Sequence, residues 1–343
     1  AFAGKDGKDT GKYEFDVKYS ISYGSGPRAT PTVHDGLVYF LGAMGDLVCL
    51  NETDGKEVWK RNFVKEFEAT VPVWGFSSPP LVDGEKVICV VGGSGDRHVI
   101  AFDRKTGKEV WKALSVNGDP GYGVPVIFTV GKSRQLIIWS PKAVHSLDAE
   151  TGKVLWEQKW EIQSSLNAPT PQLVGGDRLF LTSFYNGSML LKLDTDKPGA
   201  SIVWKSKSKG GQAAVMPENT VDLHSIMTTP FIRDGYVYGV CSYGELRCLK
   251  LDTGERVWED HKPVTGKSDR WGHAFLTPNG DRFFLFNEKG ELLIGKLSPS
   301  GFEEIDRAKV IEPSNKMAGR PVVWSHPAFA DKKMFVRNDR ELV

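Results

Sequence analysis

The chain has 343 residues, of which 40% are hydrophobic, 25% charged and 11% aromatic, and its net charge is +1. Those proportions belong to a globular protein, give no electrostatic case for nucleic acid, and leave no apolar run near the roughly 18 residues of a membrane helix. The four cysteines, Cys49, Cys89, Cys241 and Cys248, form no C-x-x-C pair, so no thiolate metal site or haem attachment is encoded.

Residues 1–12 are rich in Gly, Lys and Asp and read as a frayed terminus. A chain that starts at Ala1 and stops inside a repeat reads as processed or trimmed. From Tyr13 to Tyr19 the sequence alternates: Tyr13, Phe15, Val17 and Tyr19 fall on one side, Glu14, Asp16 and Lys18 on the other. This predicts a half-buried strand with no hairpin partner nearby. One plan then recurs over 27–62, 76–114, 122–160, 167–206, 226–261 and 272–308, and begins again over 322–343. Each unit opens on a short stretch such as Ala29–Val33, Ser78–Val82 or Thr228–Ile232 and turns at a Gly-containing pair such as Asp83-Gly84 or Asp234-Gly235. Gly supplies the positive φ of such turns, and Asp closes local side-chain bonds. The plan predicts a four-stranded antiparallel meander.

The same eleven residues close most units. Cys49–Trp59 reads CLNETDGKEVW, Ala101–Trp111 AFDRKTGKEVW, Ser146–Trp156 SLDAETGKVLW and Cys248–Trp258 CLKLDTGERVW. A copy around Asp194–Trp204 keeps its tryptophan but has a rebuilt turn with Pro198 and Gly199; another, from Gly295 to Ile305, has lost it. The tryptophans recur at 52, 45, 48 and 54 residues, the length of one four-stranded propeller blade. The slot that holds Cys49, Ala101, Ser146, Cys248 and Gly295 reads as a small-residue packing position. Trp59, Trp111, Trp156, Trp204 and Trp258 read as docking groups that cross to the next blade, each indole donating to a turn carbonyl there. The expected fold is all-β: a single seven-bladed β-propeller domain over 13–343. The strand at 13–19 completes the last blade from outside and leaves no free sheet edge at the join.

The pattern A-x-D-x-x-T-G-K-x-x-W resembles the repeat of pyrroloquinoline-quinone-type propellers. Similar repeats build quinoprotein alcohol dehydrogenases and the propeller lipoprotein of the bacterial outer-membrane protein assembly machinery. The resemblance implies a periplasmic, outer-membrane-associated or secreted protein. In the dehydrogenases it implies a quinone held against a disulfide of adjacent cysteines, a calcium ion and an Asp base. No two cysteines here are adjacent, and no acidic cluster recurs at matching positions. The sequence therefore predicts no catalytic residue, no cofactor and no metal, with pyrroloquinoline quinone and calcium kept for an alternative oxidoreductase reading.

In a propeller the first strand of each blade lines the channel. There the repeats align Thr30, Pro79, Val124, Thr170, Thr229, His273 and His326. The echo Trp271-Gly272-His273 and Trp324-Ser325-His326, with Arg270 and Arg320 upstream and His224 before the fifth unit, breaks the small or apolar character of the rest. His273, His326, Trp271, Trp324, Arg270, Arg320 and His224 form the candidate channel-mouth site, suited to an anionic or sugar-like ligand. The competing reading gives the histidines backbone bonds at the rim and the tryptophans packing. The functional expectation is a non-catalytic binding or scaffolding protein, acting as a monomer on a protein or small ligand. A quinone-dependent oxidoreductase and a carbohydrate-binding or carbohydrate-active propeller are the alternatives.

Overall fold

The computed structural model describes residues 8, 11–21, 26–116, 118–207 and 216–343; most of the expected frayed terminus, 1–12, lies outside the described residues. The chain forms two compact units, one of 1–165 with 194–200, the other of 166–193 with 201–343. Among the described residues the strands make six four-stranded antiparallel sheets and two two-stranded ones, each in simple sequential order. The helical elements are short, the five-residue helix Phe63–Phe67 being the α-helix.

The first unit holds three of the four-stranded sheets. The first is built of Thr32–His34, Leu37–Leu41, Asp46–Asn51 and Glu57–Asn62, the second of Leu81–Asp83, Lys86–Val90, Val99–Asp103 and Glu109–Ala113. The third is Val126–Val130, Ser133–Trp139, Ala143–Asp148 and Val154–Lys159. Core lies between consecutive sheets: Tyr39, Leu41, Leu47 and Trp59 of the first meet Val87, Cys89, Ile100 and Phe102 of the second. Ile88, Val99 and Trp111 of the second meet Leu136, Ile138 and Leu147 of the third. In the second unit the fifth sheet (Phe231–Arg233, Tyr236–Val240, Leu246–Lys250, Arg256–Asp260) packs in the same way on the sixth. The sixth comprises Ala274–Asn279, Arg282–Asn287, Glu291–Ser298 and Gly301–Lys309. A final hairpin, Ala328–Ala330 with Lys333–Phe335, is followed by one bridge between Arg337 and Leu342.

Two expectations are corrected. The inner strands start later than the sequence suggested, and proline is the reason. Thr32, Leu81, Val126, Gln172, Phe231 and Ala328 each follow a proline directly. A proline has no N–H for the ladder, so pairing begins one residue beyond it. Thr30, Pro79, Val124, Thr170, Thr229 and His326 therefore precede the strands and do not belong to them; His273 also precedes its strand, which begins at Ala274 with no proline before it. The second correction concerns 13–19. The alternation is present, with Tyr13, Phe15, Val17 and Tyr19 half-buried and Glu14, Asp16 and Lys18 exposed. Yet no strand pairing includes this stretch. Tyr13 and Phe15 instead lie against Phe40 of the first sheet, at 5.9 and 6.2 Å between ring centres, and Lys60 Nζ sits 4.1 Å over Phe15. Periodicity fixed which side chains turn inward, but aromatic and cation–π contacts, which need no backbone ladder, chose the surface.

Candidate functional site

The repeated turn is locally determined. Asp103 Oδ1 accepts from Lys105 N, Thr106 N and Thr106 Oγ1 at 2.8–3.1 Å; Asp148 does the same for Glu150 and Thr151. These bonds, the Thr hydroxyl first, hold both carboxyls below the usual carboxylate range. Opposite each tryptophan stands the small residue: Cys49 faces Trp59, Ala101 faces Trp111, Ser146 faces Trp156 and Cys248 faces Trp258, with a register shift just after it. The indole then reaches the following sheet. A Cβ at Gly107 would lie 2.7 Å from Trp59, one at Gly152 2.5 Å from Trp111, and one at Gly254 2.7 Å from Trp204. Trp59, Trp204 and Trp258 donate to Arg104 O, Leu251 O and Ser298 O at 2.8–3.0 Å. Trp111 Nε1 is buried without an acceptor, and Trp156 Nε1 donates to Gln135 Oε1 of its own sheet at 2.8 Å.

Of the seven candidate channel-mouth residues, four come together in the second unit. His273 is buried beside the Thr228 hydroxyl, Nδ1 to Oγ1 3.1 Å. That hydroxyl gives its proton to Ala274 O at 3.0 Å, which leaves the imidazole as donor. Burial, with His326 nearby, pushes the His273 pKa down to about 3, so the ring is neutral at pH 7. Phe275 links the two histidines, with ring centres 4.5 Å from each, edge-on to His273 and tilted at 56° to His326. Trp324 lies 6.3 Å from His273. His326 itself is exposed, its Nδ1 2.7 Å from Pro327 O.

Arg320 and Trp324 converge on a residue that sequence reasoning missed, Glu288. Its side chain is 2% exposed. Arg320 Nε and Nη2 meet the two carboxylate oxygens at 2.6 and 3.1 Å, and Trp324 Nε1 adds a bond of 3.2 Å. The backbone of Glu288 also donates to His273 O at 3.0 Å and accepts from Val323 N at 2.8 Å. A bidentate, buried pair of this kind fixes both partners. It anchors a hairpin outside the repeat plan, Asn315–Met317 with Arg320–Val322.

The other three candidates lie elsewhere. Arg270 stacks over the Trp271 ring at 4.7 Å, and Trp271, with φ 64°, donates its N–H to Ser242 O. His224 is fully buried; Nδ1 donates to Phe184 O at 3.0 Å, and burial drives its pKa down to about 4. It borders a second missed group, Arg247, which is 1% exposed. Arg247 Nη1 donates to Thr220 O at 2.8 Å and Asp222 O at 2.6 Å, and its Nε meets Glu259 at 3.0 Å. The slot before the small residue holds Val48, Ile100, His145, Arg247 and Ile294 in successive copies. The polar members of that slot were the available signal. Glu288, in a hairpin of charged residues, carried none.

The family model for outer membrane protein assembly factor BamB matches residues 1–260 and 140–341. The chain belongs to this family. Among solved structures, BamB from Moraxella catarrhalis superposes with a TM-score of 0.61 at 17% identity, covering 92% of this chain and 83% of that one, a likeness of fold. In sequence, the chain is 25% identical to BamB from Burkholderia pseudomallei, over 73% of this chain and 60% of the relative. It is also 25% identical to the quinoprotein ethanol dehydrogenase of Pseudomonas aeruginosa, over 90% of this chain and 55% of the relative. A shorter match, 29% identical over 38% of this chain, is to a quinohemoprotein alcohol dehydrogenase of Pseudomonas putida, of which it covers 20%. The chain thus spans less than two thirds of the length of these curated relatives.

The four cysteines are free and buried, and no two are adjacent, the nearest pair being Cys241 and Cys248. Among the described residues no three His, Cys, Asp or Glu side chains converge as metal ligands. Among the described residues no helix is long and apolar enough to cross a membrane.

Proposed function

We propose that this chain is a seven-bladed, non-catalytic propeller that binds or scaffolds a protein partner outside the cytoplasm, in the periplasm or at the outer membrane. The observation that carries the reading is the state of Glu288. A binding centre for a small substrate keeps its buried polar groups turned toward an open position. Here the carboxylate is taken up by Arg320 and Trp324, and His273 by Thr228. Those polar groups serve to hold connections in place. What they leave at the surface, His326 and the Arg270–Trp271 stack, suits contact with another protein, where Arg and Trp are favoured anchors. Quinone-dependent oxidation is the alternative, favoured by the match to the ethanol dehydrogenase.

One experiment separates them. The protein is incubated with pyrroloquinoline quinone and Ca²⁺, desalted, and assayed for retained chromophore and for ethanol-driven dye reduction. In parallel, partners are cross-linked in the native host to the wild type and to His326→Glu with Arg270→Glu. The expected result is no chromophore, no turnover, and one stoichiometric partner lost from the double variant. Retained chromophore with dye reduction overturns the reading, as does a partner pattern that the variant leaves intact.

A further inference from the structure

The connection from the fifth sheet to the sixth, 261–273, differs in charge from its counterparts in the first unit. There 63–80 sets Lys65 against Glu66 and Glu68, and 114–125 carries Asp119 alone. Here Lys262, Lys267 and Arg270 stand against Asp269. A fourth cation joins them from the sixth sheet, since a Cβ at Gly266 would lie 3.5 Å from Lys289 Nζ. The nearby carboxylates are engaged. Asp269 meets Lys267 at 3.8 Å, and Asp260, at the end of its strand, accepts from Lys262 N at 2.8 Å. Glu245, Glu259 and Glu288 are matched by Arg247, Arg256 and Arg320. Four cations against Asp260 and Asp269 leave an excess of two positive charges. Lys262, Arg270 and Lys289 have no ion-pair partner among the described residues, and the first two are exposed.

The loop is held in one shape. Val264, Thr265 and Gly266 all donate their N–H to His261 O at 2.7–3.2 Å. Asp269 N and Trp271 N donate to Tyr243 O and Ser242 O at 3.0 and 2.8 Å, which locks the loop onto the neighbouring turn of the fifth sheet. A Cβ at Gly272 would lie 2.6 Å from Gly244 Cα, so the two backbones touch. Within this clamp Trp271 takes φ 64°, a left-handed conformation that is costly for a bulky side chain and is retained where the position is used. Its ring is half-buried, with Arg270 laid over it at 4.7 Å. A rigid loop loses little freedom on binding, and Arg and Trp are favoured anchors between proteins. Three unpaired cations fall short of the cluster of about four to eight basic residues that an anionic lipid surface draws on.

We infer that the loop 261–271, with Lys289, seats an acidic segment of the protein partner, whose carboxylates meet Lys262, Arg270 and Lys289. The inference rests on the scaffolding reading and gives that partner a chemistry. The probe is fluorescein-labelled hexaglutamate, titrated by anisotropy at low ionic strength. Hexalysine, inorganic phosphate and phosphatidylglycerol vesicles are the comparators. Hexaglutamate is expected to bind in preference to all three and to weaken with added salt. Lys262→Glu with Lys289→Glu is expected to weaken it at least about tenfold. Lys108→Glu with Lys153→Glu makes the same change of charge in turns of the first unit and is expected to leave binding unchanged. Urea midpoints confirm that both double variants are folded. Equal binding by the wild type and the first variant overturns the inference, as does an equal loss in the second, or tighter binding of phosphate or vesicles than of the peptide. Those results sink the acidic partner alone if the native host still yields a partner that the variant at His326 and Arg270 loses. No captured partner sinks the scaffolding reading itself.

Discussion

Trp111 and Trp156 occupy the same position in consecutive copies of one motif, yet they meet different neighbours. Trp111 presses on Gly152, so tightly that the next turn must carry no side chain there. Trp156 faces a turn without that glycine and finds its acceptor, Gln135 Oε1, in its own sheet. The first arrangement is a backbone device, available to any sequence that keeps the glycine. The second depends on one glutamine, which also accepts from Ser146 Oγ at 2.8 Å. Where the backbone device is given up, a cleft opens beside the substitute turn.

Several substitutions would sharpen this contrast. The largest effect is expected from Trp59→Ala, which removes a buried indole from an intact junction and should cost about 3–5 kcal/mol in urea unfolding. Gln135→Leu is the counterpart at the broken junction. It strands two buried donors, Trp156 Nε1 and Ser146 Oγ, and should cost roughly 2–4 kcal/mol. An unchanged midpoint would mean that Gln135 does not carry the junction. Gly152→Ala, at φ 73° and against Trp111, should cost about 1–3 kcal/mol, whereas Gly199→Ala should stay within about 1 kcal/mol. Equal costs would erase the distinction between the two junctions.

The remaining effect is electrostatic and depends on pH. His98 is fully buried with neither ring nitrogen bonded, and burial, with His145 nearby, lowers its pKa to about 3. His273 and His224 are lowered to about 3 and 4. Below pH about 6.5 the unfolded chain takes up these protons and the folded one does not. Stability should therefore be full above that pH and fall as pH drops toward 3, by about 1.4 kcal/mol per pH unit for each such histidine. His98→Phe should flatten the slope by one histidine's share; an unaltered slope would show that the ring is already solvated in the fold.

Much of this was legible in the sequence because the motif is made of local chemistry. The Asp–Thr–Gly turn and the small residue opposite tryptophan act within a few residues, and the spacing sets the sheets. The strand starts were misread by up to three residues because apolar character was weighed ahead of the missing proline N–H. The stretch 13–19 shows the limit of periodicity, which orients side chains but names no partner. The partners of Glu288 and Arg247 were invisible for a related reason, although the polar slot itself marked Arg247. Those partners, Arg320 and Trp324 for one, Thr220 and Asp222 for the other, lie more than twenty residues away in sequence, and no local pattern ties them together.

Arg247 has a consequence of its own. Its guanidinium, rooted in the third strand of the fifth sheet, grips main-chain oxygens of Thr220 and Asp222 and not their side chains, apart from the Thr220 hydroxyl. A grip on carbonyls is indifferent to which amino acids bear them. The segment entering the fifth sheet can thus change its lettering over generations while its footing stays put, a freedom that a surface fitted to a changing companion would exploit.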